Sequence, residues 1–93
     1  MHTEPIAIEY DPEKSAANVR KHGVGFQEAS SALLDPNALA QEDRDVEGEP
    51  RWILLGMSAA GRLLTVVYTL RGDNVRLISA RRATRKEAQT YAQ

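Results

Sequence analysis

Ninety-three residues without cysteine, carrying a net charge of −1, limit the chain to one small domain, residues 1–93, with one modest core and no disulfide or thiolate metal site. His2 and His22 are too few and too far apart to suggest a zinc site, no apolar run of about 18 residues is present to cross a membrane, and the polar start MHTEPIAIEY lacks the apolar core of a signal peptide, so a cytoplasmic protein is expected. The small net charge hides an asymmetry: residues 1–50 hold 11 acids and 4 bases, residues 51–93 hold 8 bases and 2 acids.

In chain order, IAIEY (6–10) alternates and is rich in β-formers, which predicts a short strand. DPEKSAANVRKHG then reads as a helix with both ends marked. Asp11 caps it, Pro12 takes the first helical position, Glu13 faces the positive end of the dipole and Gly23 suits the left-handed stop. A short second helix follows, with Phe26, Ala29, Ser30 and Leu33 on one face and Glu28 placed to reach back to a weak Gly25 cap. Asp35-Pro36-Asn37 ends it. ALAQ (38–41) is a possible short strand, and the acidic stretch from 42 to 50 reads as an exposed loop.

The second half holds three β-rich runs, RWILLGMS, RLLTVVYTL and NVRLISARR, separated by AAG and RGD at hairpin lengths. Leu64, Val66, Tyr68 and Leu70 share one face of the middle run, and its other face is also largely apolar, which makes it the central strand. Strict alternation in the last run puts Arg76, Ile78, Ala80 and Arg82 on one face and Val75, Leu77, Ser79 and Arg81 on the other. Thr84 and Glu87 then match a capping box at the start of a final helix. The order β-α-α-(β)-β-β-β-α predicts an α+β domain: a small antiparallel sheet with two N-terminal helices and one C-terminal helix, all packed on one face.

No glycine-rich phosphate loop, G-x-S-x-G or H-E-x-x-H motif is present. What remains is a set of Arg, Lys, His and Tyr side chains, gathered mainly at two distant turns, NVRKHGV (18–24) and ISARRATRKE (78–87). That set suits a reaction needing no cofactor, the cleavage of RNA by its own 2′-hydroxyl. Preorganised guanidinium groups stabilise the five-coordinate phosphorus, and a histidine near its ordinary pKa serves as acid or base. Each candidate also has a plainer role. Lys21 and His22 suit a helix C-terminus, and Tyr68 suits a core. Arg81 and Arg82 point to opposite faces of a continuing strand, so at most one enters a given cleft. Arg76 falls on the Arg82 side. Arg85 and Lys86 sit where the helix dipole disfavours cations, a local cost that hints at a phosphate or partner contact. The charge asymmetry fits a polyanion-binding surface equally with two halves that neutralise one another.

YDPEKSAANVRKHGVGFQEA, followed by RWILLGMSAAGRLLTVVYTLRGDNVRLISARRATRKEAQTYA, resembles the BrnT family, the ribonuclease toxins of type II toxin–antitoxin systems, across about residues 7–92. The resemblance implies a RelE-like fold and metal-independent RNA cleavage. It also implies a BrnA-like antitoxin partner, whose DNA-binding part would carry a dimer-based complex to the operator. By position it implies Lys21, His22, Tyr68, Arg81 and Arg82 as the catalytic set, and it also picks out Tyr91 and Glu87, the latter explained as a cap as well; Arg76, Arg85 and Lys86, singled out above from the residues alone, join Tyr91 as candidates for binding RNA. The competing reading is a non-catalytic module that binds nucleic acid or the antitoxin.

Overall fold

The computed structural model describes residues 7–43 and 48–93. Its elements are β1 (Ile8–Glu9), α1 (Pro12–His22), α2 (Phe26–Ala32), β2 (Leu39–Asp43), β3 (Arg51–Met57), β4 (Leu63–Arg71), β5 (Asn74–Arg82) and α3 (Arg85–Tyr91). The α+β order expected from the sequence is the one observed. β1 is shorter than expected within the described residues, and β2 runs on through Glu42 and Asp43, which the sequence placed in a loop.

Helix α1 forms as its ends dictate. The Asp11 carboxylate accepts the Glu13 N–H at 2.8 Å, Pro12 opens the helix, and Gly23 closes it at φ 73°, its N–H bonding the Val19 carbonyl at 2.8 Å. Helix α2 has no cap of its own at Gly25. The Ser15 hydroxyl of α1 supplies one instead, accepting the Phe26 N–H at 2.9 Å. The expected reach-back from Glu28 does not form, because its carboxylate turns to Ser58 and Arg62.

The sheet is ordered β1-β5-β4-β3-β2, with β4 at its centre as the two apolar faces required. Four strands are antiparallel neighbours, but β1 joins β5 in parallel, so the sheet is mixed and not purely antiparallel. The connection from β1 to β5 runs through both helices and three strands, long enough for the parallel pairing, which a tight turn could not make. Register partners share a face of the pleat, and they assign the two faces. Gly56, Leu64 and Arg82 lie on one face with Leu54, Val66 and Ala80; Leu55, Thr65 and Arg81 lie on the other. The first, the inner face, carries the core: Val24, Phe26, Ala29 and Ala32 of the helical half pack against Leu64, Val66, Leu77 and Ala80. Tyr10 meets Phe26 edge-on, ring centres 5.7 Å apart. At Gly56 a β-carbon would stand 2.6 Å from the Ala32 carbonyl oxygen, so only glycine lets α2 sit this close to β3.

Two expectations change here. A bulge between Val67 and Tyr68 shifts the β4–β5 register, so Ser79 pairs with Val67 and Leu77 with Tyr68. The extra residue, Ile78, lets Leu77 and Ala80 both enter the core and moves Arg76 to the outer face with Arg81, away from Arg82. The helices also do not share one face. α3 crosses the outer face, where its Glu87 pairs with Arg81.

Asn18 is 7% exposed and is the polar anchor of the inner face. Its side-chain amide donates to the carbonyls of Val24 and Ala80, both at 2.7 Å, and its oxygen accepts the Ala80 N–H at 3.3 Å. Asn18→Ala leaves those buried groups unpaired and is expected to cost about 2–4 kcal/mol. Gly56→Ala, which must push backbone aside, is expected to cost about 1–3 kcal/mol. Urea denaturation followed by circular dichroism measures both.

Candidate functional site

The two basic turns of the sequence meet in space, and Asn18 is the reason. Lys21 and His22 lie one helical turn beyond Asn18. Arg82 lies two residues beyond Ala80, on the same face. The bond from Asn18 to Ala80 therefore sets the C-terminal end of α1 beside the C-terminal end of β5. The β3–β4 turn closes the same end. Its Arg62 donates through Nη2 to the Gly23 carbonyl at 3.0 Å, directly after His22, and grips the Glu28 carboxylate through Nε at 2.9 Å and through Nη2. The Ser58 hydroxyl donates to the same carboxylate at 2.7 Å. Arg62 chiefly, with Ser58 and the nearby charge of Arg82 adding, holds the Glu28 carboxyl below its ordinary range.

Lys21, Arg82, Arg85 and Lys86 are exposed and form no ion pair among the described residues. His22 is half-buried. Three other arginines of the second half are committed to acids of the first. Arg62–Glu28, Arg76–Glu9 and Arg71–Glu49 pair a base of the second half with an acid of the first. The charge asymmetry is thus partly neutralised internally, and Lys21, Arg82, Arg85 and Lys86 belong to the end of the sheet where α1 and β5 finish.

The other sequence candidates lie elsewhere. Arg81 is on the outer face, as consecutive strand positions require. Its guanidinium makes a two-pronged pair with Glu87, at 2.8 and 3.1 Å, and also donates to the Arg82 carbonyl at 3.2 Å. Glu87 accepts the Thr84 N–H at 2.8 Å, and the Thr84 hydroxyl accepts the Glu87 N–H at 3.1 Å, so the expected capping box is complete. Arg81 is the main reason the Glu87 carboxyl is pushed down to about 2, with the Thr84 amide and the Thr65 hydroxyl assisting. Tyr68 packs on the core cluster, and burial pushes its phenol up. It lies four residues along β4 from Leu64, the partner of Arg82, or about 13 Å. Tyr91 donates to the Asp35 carboxylate at 2.5 Å, which also accepts the Met57 N–H at 2.8 Å. The phenol raises its own pKa through that bond and lowers that of Asp35. Tyr91 thereby ties the end of α3 to the end of the sheet. Arg76 sits beside Glu9 on the outer face.

Sequence reasoning missed Asn18, Glu28 and Arg62 as site builders. Asn18 carried a usable signal: an asparagine inside a helix disfavours that position and calls for a tertiary partner. Glu28 and Arg62 carried none, because their pairing spans 34 positions of sequence. Among the described residues no group of three acidic, histidine or cysteine side chains is placed to hold a metal ion, and no helix is long and apolar enough to cross a membrane.

An α+β sheet with cations gathered at one end is the kind of surface that handles a polyanion. Residues 10–87 match the family described as "Ribonuclease toxin, BrnT, of type II toxin-antitoxin system". The chain belongs to that family of ribonuclease toxins. Among solved structures, it resembles the 1.1 Å crystal structure of the Brucella abortus ribonuclease toxin BrnT, with a TM-score of 0.63 and 21% identity over 87% of this chain and 100% of the other. At that identity the match speaks for the fold. Comparison with curated proteins gives no match.

The Arg81–Glu87 pair has a pH signature. The folded carboxyl titrates near 2, against 4.5 for a free glutamate, so its contribution is complete above the unfolded value and fades as the pH falls from there towards 2. Glu87→Gln is expected to lower the urea midpoint at pH 7 and to have a smaller effect at pH 3. Equal loss at both pH values would show that the charge pair does not hold α3.

Proposed function

We propose that this chain is a metal-independent endoribonuclease, the toxin of a type II toxin–antitoxin pair, acting in the cytoplasm with RNA as its substrate. The observation that carries this reading is the Asn18–Ala80 clamp, which gathers Lys21, His22 and Arg82 at one exposed end with the committed Arg62 behind them. In the proposed reaction the 2′-hydroxyl loses its proton to a base and attacks phosphorus. The new P–O2′ bond forms as the P–O5′ bond breaks, and the 5′-oxygen leaves with a proton from an acid. The products are a 2′,3′-cyclic phosphate and a 5′-hydroxyl. His22 is our candidate for proton transfer. Lys21 and Arg82 hold the phosphate charge as it rises.

Arg81 serves this site indirectly: it fixes the turn after β5 and, through Glu87, seats α3, whose Arg85 and Lys86 extend the basic surface for RNA. Arg76 and Tyr91 act further out, Arg76 along the outer face and Tyr91 by anchoring α3. Tyr68 is assigned to packing, since it packs on the core cluster and its strand position is four residues from the partner of Arg82. The RelE-like description of the sheet belongs to the same reading. Neutralisation falls to a BrnA-like antitoxin. An acidic or amphipathic segment of it, ordering on the basic end, would cover the cations and compete with RNA. The antitoxin's DNA-binding part would then take a dimer-based complex to its operator.

The test is purified protein with synthetic RNA in EDTA. Cleavage leaving cyclic phosphate ends is expected; RNA left intact in EDTA and in its absence, with and without ribosomes, overturns the nuclease reading. Lys21→Ala, His22→Ala and Arg82→Ala should each reduce cleavage and growth arrest while changing stability by no more than about 0.5–1 kcal/mol, because none loses a buried partner. RNA binding should weaken steeply with salt, with a slope that becomes shallower by about 0.7 for each phosphate-contacting cation removed.

A further inference from the structure

Helix α1 carries three of the four bases of the acidic first half: Lys14, Arg20 and Lys21. All three are exposed and form no ion pair among the described residues. Lys21 belongs to the proposed phosphate site. Lys14 stands near the other end of the helix, and the proposed cleavage chemistry does not use it.

Asn18 fixes how α1 is rotated, because its amide bonds Ala80 of β5. With about 3.6 residues per turn, Ser15, Val19 and His22 fall to one side of Asn18. That side faces α2: the Ser15 hydroxyl accepts the Phe26 N–H at 2.9 Å, and a β-carbon on Gly25 would stand 3.4 Å from Cγ2 of Val19. Lys14 and Lys21 fall to the other side, two turns apart, in a row about 10 Å long. Ala17 lies between them on that flank, and its single methyl leaves the row open to an approaching chain. Arg20 points away from β5, on the solvent side.

Lys14 also stands where a cation is disfavoured. It is in the first turn of α1, beside the positive end of the helix dipole, and no ion pair among the described residues offsets that cost. Helix propensity does not ask for lysine either, since glutamine or glutamate would serve as well. A local cost without a local return points to a partner outside the chain. The partner of an ammonium row with no acid beside it is a string of negative charges.

We infer that the Lys14–Lys21 flank of α1 is a track for single-stranded RNA leading away from the cleaved bond, with Lys14 holding a phosphate remote from it. This rests on the nuclease reading for its substrate. A strand whose reacting phosphate sits at the Lys21 end and which runs back along the helix meets the second ammonium after roughly two nucleotides. Each ammonium is a point charge on a flexible stem, which attracts phosphate without reading a base. The track therefore makes the enzyme prefer longer strands and leaves base preference to other parts of the molecule.

The test uses synthetic RNAs of two to eight nucleotides around one cleavable step, extended on the 5′ or the 3′ side, with the full chain. KM should fall as the strand grows on one side and level off once Lys14 is reached. Lys14→Gln, which keeps helix propensity, should flatten that fall, with a loss that grows with length to about three- to fivefold, the worth of one exposed charge contact. Lys14→Arg should restore it. Binding of an uncleavable 2′-O-methyl octamer should lose about 0.7 from its salt slope in Lys14→Gln, while the melting temperature stays or rises. An unchanged length dependence and salt slope in Lys14→Gln, or a loss equal at every length, overturns the track. Loss of the salt-slope increment in a protein that cleaves no RNA would overturn the nuclease and leave the track standing.

Discussion

Along the C-terminal part of β5, the side-chain amide of Asn18 takes the place that β1 holds lower down. β1 pairs with β5 only at Val75 and Arg76. Further along, no strand among the described residues lies beside the outward edge of β5, and backbone groups left unpaired there would be costly to bury. Asn18 satisfies both the N–H and the carbonyl of Ala80 and uses its remaining hydrogen on Val24. One amide thus closes the sheet edge, fixes the turn between α1 and α2, and sets where α1 ends relative to β5.

The charges divide according to that geometry. Pairs such as Arg62–Glu28 fasten the hairpin turn to the helices, and Arg81–Glu87 fastens α3 to the opposite face. Exposed pairs of this kind are individually weak. Arg62–Glu28 gains from additional bonds to Ser58 and Gly23, which make it a network joining three elements. α3 buries none of its residues. Its position depends on polar fastenings at its start and at Tyr91, in contrast to α2, which is held by Phe26, Ala29 and Ala32.

Local rules made much of this legible. The caps of α1, the capping box of α3, the central rank of β4 and the opposed directions of Arg81 and Arg82 all follow from spacing a few residues long. The errors came where distant parts of the chain decide. A pleat read without its bulge sent Arg76 to the wrong face, because a bulge depends on which residues the core accepts. Glu28 looked like a cap because its partner Arg62 is remote in sequence. The face chosen by α3 follows from Arg81, whose importance as a fastening rather than as a free cation cannot be read from a run of two arginines. The cleavage cluster proposed here keeps Lys21, His22 and Arg82 and separates them from Tyr68 for the same reason: strand position is local, but burial is not.

The bulge at Ile78 makes the length of β5 as restrictive as its composition. Deleting a single residue there would restore simple alternation, and either the segment before it or the segment after it would have to turn over. If the later part turned, Arg82 would go beneath α3, Arg81 would face the helices, and Ala80 would leave the core together with its grip on Asn18. Insertions and deletions in β5 are therefore far more disruptive than substitutions, and tolerated length changes belong in the connections instead.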